Sequence, residues 1–259
     1  MGGNGLFDLT GKVAAVVGGG SGIGEAVAIG AARLGAQVTV LDANEAAARA
    51  VAGRIGAEDA ALDIRDSAAV GAALDGIVNR HGRLDIVICT PAINVRKPIV
   101  EYTSDDFDRV VGVNLKGTFN VLQTAGRIMM AQRGGAIVLF SSIRSQVVEA
   151  GQSVYAMTKA GVLQLVRTAA AEFGSAGVRV NAVGPGVVET PLTAPIKAHP
   201  EWYNAYASKS ALKRWARAEE MVGPTLFLVS DAASYVTGTI LFADGGWTAI
   251  DGRFNPPGM

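Results

Sequence analysis

Cysteine is almost missing: Cys89 is the single thiol in 259 residues. No intramolecular disulfide can form, which suits a reducing compartment. An excess of charge of either sign is missing too. Twenty-three Lys and Arg balance twenty-three Asp and Glu, and no cluster of bases compensates locally. Electrostatic recruitment of nucleic acid or of an anionic membrane is therefore not expected. Long apolar runs are also lacking; none approaches the roughly 20 residues that a membrane-spanning helix needs. Residues 1–10 carry no positive segment followed by an apolar core, so no secretory signal and a cytoplasmic location are expected. No internal repeat, linker or low-complexity tract interrupts the chain, and residues 1–259 are expected to form one domain.

What the chain does have is Ala, Gly and Val in the proportions of a buried parallel sheet under closely packed helices. Short β-branched runs at 13–17, 37–41, 59–62, 85–89, 136–141, 178–183 and 239–243 alternate with helical patterns at 22–34, 44–55, 66–81, 104–131, 152–173 and 219–230. Asn44 stands where it can cap the second helix, and Thr103-Ser104-Asp105-Asp106 supplies caps and first-turn carboxylates to the fourth. The alternation predicts an α/β chain: a doubly wound Rossmann fold, with a parallel seven-stranded sheet and helices on both faces. Residues 184–217 break the pattern. The stretch is interrupted by proline, holds Trp202 and Trp215, and carries no strand signal. A long irregular segment in a compact domain is expected to be a functional lid, with a rigid interface insertion as the alternative.

The first strand runs into Gly18-Gly19-Gly20-Ser21-Gly22-Ile23-Gly24, after which a helix begins. Glycines permit a sharp turn and close approach of a pyrophosphate, and the helix N-terminus offers free N–H groups and positive potential. A flexible glycine turn is the bland alternative. Asp42 ends the second strand about 20 residues later, where a carboxylate can accept both ribose hydroxyls of an adenosine and would repel a 2′-phosphate. Its neighbours Ala43 and Asn44 offer no cation, so NAD is the expected cofactor. A helix cap is the alternative use of Asp42. Asp63 could hold the adenine amino group, with Ile64 beside it, or be only a turn residue.

Tyr155 and Lys159 lie one helical turn apart and emerge on one face. An ammonium near a phenol favours the phenolate, which makes the pair a candidate proton donor and acceptor. Ser142 ends the fifth strand one loop earlier, and ligands of parallel sheets bind at such carboxyl ends.

With these motifs, together with Asn114 in Val113-Asn114-Leu115 and Asn181-x-Val183-x-Pro185-Gly186, the chain resembles the short-chain dehydrogenase/reductase family from Leu9 to Gly246. The resemblance implies that Tyr155 exchanges a proton with the substrate oxygen, and that Ser142 orients that oxygen. It implies that Lys159 holds the nicotinamide ribose and depresses the tyrosine pKa. Asn114 would hold a water that relays protons from Lys159, or serve as a buried amide that satisfies backbone groups and kinks its helix. Gly18, Ser21, Gly22, Ile23 and Gly24 would cradle the pyrophosphate, and Pro185, Gly186, Val188 and Thr190 would line the nicotinamide. Family members commonly pair long helices and the last strand about two-fold axes, so a homotetramer is expected.

Two departures stand out. Val17 replaces the usual Thr before the first glycine, and Cys89-Thr90-Pro91-Ala92 replaces Asn-Asn-Ala-Gly. Cross-links between central strands then fall to Thr90, and Cys89 is expected to be a core residue. Arg96, Lys97 and Arg144 follow strand ends that face the cleft, and the guanidiniums of Arg96 and Arg144 point to an acidic small-molecule substrate. No metal is expected. The competing readings are a 3-oxoacyl-thioester reductase, which Asp42 disfavours, and a sensor that binds NAD without chemistry.

Overall fold

The computed structural model describes residues 5–250. β1 (Val13–Val17), β2 (Gln37–Asp42), β3 (Glu58–Ala61), β4 (Ile86–Cys89), β5 (Gly135–Phe140), β6 (Val178–Pro185) and β9 (Ile240–Ala243) form one sheet in the order β3-β2-β1-β4-β5-β6-β9. Every pairing is parallel. The inner strands are buried on both faces because successive residues feed opposite cores, whereas the edge strands β3 and β9 are only partly covered. Val13, Ala15 and Val17 join Leu74, Ile77, Val121 and Val162 on one side. Ala14 and Val16 join Val27, Val40, Val51 and Leu226 on the other. The first core lies under α3 (Ser67–His81), α5 (Thr118–Gln132) and α6 (Ser153–Phe173), the second under α1 (Gly22–Arg33), α2 (Glu45–Ile55) and α9 (Val222–Val229). A doubly wound parallel sheet with seven strands is thus what the alternation predicted.

The helix signals hold at particular residues. Asn44 Oδ1 accepts from Ala47 N at 3.1 Å and caps α2, and Thr103 and Asp106 close a capping box on α4 (Ser104–Val111). The expected single helix over 104–131 is in fact α4, a π-helical stretch Gly112–Gly117 and α5. The wide turn contains Asn114, whose amide leaves the helix to bond Ile93.

Residues 184–217 also differ from expectation. The stretch is not strandless: β6 runs on to Pro185, and β7 (Val188–Glu189) pairs with β8 (Ala216–Arg217) in a small parallel ladder. Between them stand α7 (Ala194–Lys197) and α8 (Pro200–Ala207). Runs of two to eight residues are too short to leave a period in the sequence. Trp215, 3% exposed, stacks on Tyr203 at 5.0 Å and donates to Tyr203 O at 3.0 Å, giving the excursion a small core of its own.

Candidate active site

The carboxyl ends of β1, β2 and β4 open on a cleft of about 490 Å³ lined by Gly18, Ser21, Gly22, Asp42, Asp63 and Thr90, among others. Gly18 has φ +79°, which its fit to the turn requires. A Cβ on Gly24 would stand 2.0 Å from Gly18 O, so the α1 helix can approach the strand only with glycine there. Ser21 precedes α1 without capping it by its side chain, which leaves the first-turn N–H groups for an anion. Asp42 is not the helix cap. Its Oδ2 accepts from Gly20 N and its Oδ1 from Asn44 N, both at 2.9 Å. These bonds brace the carboxylate at the cleft wall. The cradle therefore fits the diphosphate and adenosine ribose of a dinucleotide.

Thr90 bridges the central strands as expected: its Oγ1 donates to Val17 O at 3.1 Å and Gly18 O at 3.2 Å. Asp63 lines the cleft but grips Arg65 through both carboxylate oxygens, which holds its pKa below the usual carboxylate range. Ile23, Ile64 and Thr190 also line this cleft. Gly186 opens on the second cavity described below. Val188 and Pro185 do not match the expected placement as well: Val188 packs in the core, and Pro185 is buried within β6. Cys89 is a core residue whose thiol burial pushes up to about 12.

A second cavity of about 310 Å³ is walled by Ser142, Tyr155, Arg96, Arg144, Asn94 and Gln152 with the start of the 184–217 excursion. Leu192 borders both spaces. Ser142 Oγ accepts from Arg144 N at 3.1 Å, which leaves its O–H as the donor toward Tyr155 and the cavity. Burial raises the Tyr155 pKa; hydrogen bonding with Ser142 and the charges of Arg144 and Arg96 oppose it. The helper anticipated from sequence was Lys159. Its Nζ stands 5.6 Å from the Tyr155 ring centroid and donates to Phe140 O at 2.8 Å. It is 2% exposed, and burial pushes its own pKa down to about 8. The charges of Arg144 and Arg96 act on the phenol besides the nearby Lys159 ammonium.

Asn114 is wholly buried. Its Oδ1 accepts from Ile93 N at 2.8 Å, and its Nδ2 donates to Ile93 O at 2.9 Å and Thr158 Oγ1 at 3.3 Å. The amide thus ties the loop after β4 to α6, as the buried-amide alternative anticipated.

Arg96 and Arg144 do come together at the cavity, on a residue that the sequence did not flag. Glu149 Oε1 accepts from Arg96 Nη1 at 2.9 Å and from the Tyr206 hydroxyl. Its Oε2 accepts from Arg144 and from Gln152 Nε2, the latter at 2.8 Å. Glu149 lies on an irregular loop, where periodicity carries no information. Its one sequence signal was an acid five residues after an arginine at a strand end. Trp247 faces the Arg144 guanidinium at 5.5 Å and Trp202 faces that of Arg96 at 5.9 Å. Among the described residues, no group of three His, Cys, Asp or Glu could hold a metal.

A family model described as enoyl-(acyl carrier protein) reductase matches residues 17–248. The chain is 36% identical over 253 residues to the D-threitol dehydrogenase of Mycolicibacterium smegmatis, covering 93% of this chain and 95% of that one. It is 36% identical over 246 residues to a 3-oxoacyl-[acyl-carrier-protein] reductase of Thermotoga maritima, covering 92% and 98%. Among solved structures, a gluconate 5-dehydrogenase of Burkholderia cenocepacia in complex with NADP and tartrate superposes with a TM-score of 0.91 at 33% identity, covering 95% and 98%.

The buried Lys159 gives a pH signature. Its folded-state pKa of about 8 lies below the ordinary 10.5, so between those values the unfolded chain binds the extra proton and stability rises with pH. Urea unfolding at pH 7.5 and pH 10.5 should show the wild type gaining on the order of 3 kcal/mol relative to Lys159→Met. Parallel pH profiles for the two proteins would contradict it.

Proposed function

This chain belongs to the short-chain dehydrogenase/reductase family, and on that premise we propose that it is an NAD-dependent dehydrogenase of a small, acidic secondary alcohol. Oxidoreduction at a CH–OH group with a nicotinamide cofactor is the family's chemistry. The observation that carries the finer reading is the shared cavity: Ser142, Tyr155 and two guanidiniums face one space of about 310 Å³ bordering the dinucleotide cleft. That volume suits a compact polar alcohol such as a hydroxy acid or sugar acid. Asp42, which disfavours NADP, speaks against the 3-oxoacyl-thioester reductase reading, and a pure NAD sensor would need no hydroxyl pair in the cavity.

When bound, the nicotinamide supplies the hydride acceptor for oxidation or the hydride donor for reduction. Tyr155 takes the substrate hydroxyl proton as the carbinol C–H bond breaks, and returns it to oxygen in the reverse direction. Ser142 donates its O–H to the reacting oxygen, an orientation that the Arg144 N–H enforces. Lys159 holds the nicotinamide ribose and passes protons onward. Asn114, with its side chain spent on Ile93 and Thr158, keeps that path in register. Gly18, Ser21, Gly22, Ile23 and Gly24 hold the diphosphate, Asp42 and Thr90 the adenosine ribose, and Asp63 and Ile64 the adenine side. Gly186 and Thr190 border the nicotinamide.

The remaining parts of the reading rest on surface and loop features. The lid at 184–217 is supported by the β7–β8 ladder, which gathers its two ends; hydrogen exchange in α8 should slow when NADH and a substrate analogue bind. A homotetramer is supported by exposed Phe119, Met130 and Met157 on α5 and α6, and sedimentation at micromolar concentration tests it. A cytoplasmic location agrees with the buried lone thiol. No helix among the described residues is long and apolar enough to cross a membrane.

Two measurements test the chemistry. Tyr155→Phe should lower turnover at least ~10²-fold with NADH affinity near wild type; near-normal turnover would refute the assignment. NADH should bind more tightly than NADPH, and Asp42→Ala should narrow the gap by removing repulsion of the 2′-phosphate. Equal affinities in the wild type would overturn the NAD assignment.

A further inference from the structure

Glu149 has no part in the proton transfer and does not itself line the cavity, yet it is bonded to four side chains that do. Four donors from four places in the chain converge on it: Arg96 after β4, Arg144 and Gln152 around the loop after β5, and Tyr206 at the end of α8. Those bonds and the two arginine charges outweigh burial and hold its pKa below the usual carboxylate range, so it is an anion at neutral pH. Among the described residues, Arg144 spends only one guanidinium nitrogen, Nη2, on a protein acceptor. Its Nε and Nη1 stay available on a side chain that is 7% exposed and lines the cavity.

The charges on this wall can be counted. Arg96 and Arg144 bring two positive charges and Glu149 removes one, which leaves a single uncompensated charge in a half-buried space. A ligand with one negative charge neutralises the wall. A neutral ligand leaves a cation unpaired, and a dianion leaves an excess negative charge on the wall.

We infer that Glu149 is a specificity-determining residue that matches the cavity to alcohols bearing one carboxylate, and excludes dicarboxylates by charge. The inference rests on the reading of this cavity as the substrate site and deepens it. Glu149 stands behind the cavity wall and acts on the substrate through the guanidiniums of Arg96 and Arg144, whose charge it partly neutralises.

Three compounds on one four-carbon skeleton separate the charges: butane-1,3-diol, 3-hydroxybutanoate and malate. Calorimetry on the enzyme saturated with NADH reads binding without turnover, and kcat/KM with NAD reads the reaction. The wild type should favour 3-hydroxybutanoate over both others. Glu149→Gln, with two net positive charges, should raise the malate to 3-hydroxybutanoate ratio roughly ten- to hundredfold. Arg96→Gln, with none, should erase the advantage of 3-hydroxybutanoate over the diol. Tyr206→Phe removes a hydrogen bond to Glu149 without changing charge, and should leave all ratios where they were. The wild-type order alone is decisive if a variant fails to fold. Malate or the diol binding as well as 3-hydroxybutanoate overturns the inference, as does a Glu149→Gln enzyme that weakens mono- and dicarboxylate equally. If the binding order holds while none of the compounds or a broader alcohol panel is oxidised, charge selection stands and the dehydrogenase reading falls.

Discussion

At β1 the sheet changes direction. The chain leaving β1 crosses to β2 on one side, whereas β4, its other neighbour, sends the chain on toward β5. The two connections part above the carboxyl ends and leave a crevice that backbone alone cannot fill. The rest of the site depends on that gap. It must be narrow enough for α1 to present its first N–H groups, and this sets the close approach of Gly24 to Gly18 O. It must also be held at fixed width. Here Thr90 does so, bonding to the last carbonyl of β1 and the first of the glycine turn.

A hydroxyl replacing the usual amide at this junction shows how such a constraint can be met with different chemistry. Thr90 has one donor and spends it between two carbonyls, so it bridges without adding a second donor–acceptor pair. Pro91 then packs against Gly18, with its ring carbons 2.9 Å from where a Cβ would stand. Thr90 thus ties β4 to the end of β1 and the start of the glycine turn with one hydroxyl.

The legible parts of this protein were those governed by period or by fixed backbone need. Buried parallel strands show as short continuous β-branched runs and their helices repeat every 3.6 residues, so the seven strands could be located to within two residues at their ends. The glycine turn was legible because close approach admits no other residue. Asn44 and Thr103 were legible as caps because capping is local. Interactions between loops were not. Glu149 meets Arg96 across 53 positions and Tyr206 across 57, and no spacing rule connects such residues before the strands bring their loops together. The β7–β8 ladder was hidden for the same reason, since two-residue strands separated by a long excursion have no period. One helical turn put Lys159 near Tyr155 but said nothing of how deeply the ammonium is buried.

That burial changes how the phenol can be tuned. An ammonium whose pKa is pushed to about 8 is a weak source of positive potential at higher pH, and in this state the charges of Arg144 and Arg96 oppose the burial that raises the Tyr155 pKa. A substrate carboxylate seated on those guanidiniums would cancel part of their field just as the substrate hydroxyl reaches Tyr155. The phenol would then hold its proton more tightly, which favours reduction, where Tyr155 gives the proton up only as negative charge develops on the carbonyl oxygen. In the oxidative direction the positive ring of the oxidised nicotinamide would have to supply the missing potential. On the proposed reading, charge on the substrate, protonation of Tyr155 and redox state of the cofactor would be coupled through one small wall of arginines, with Glu149 setting how much of its charge is left to couple.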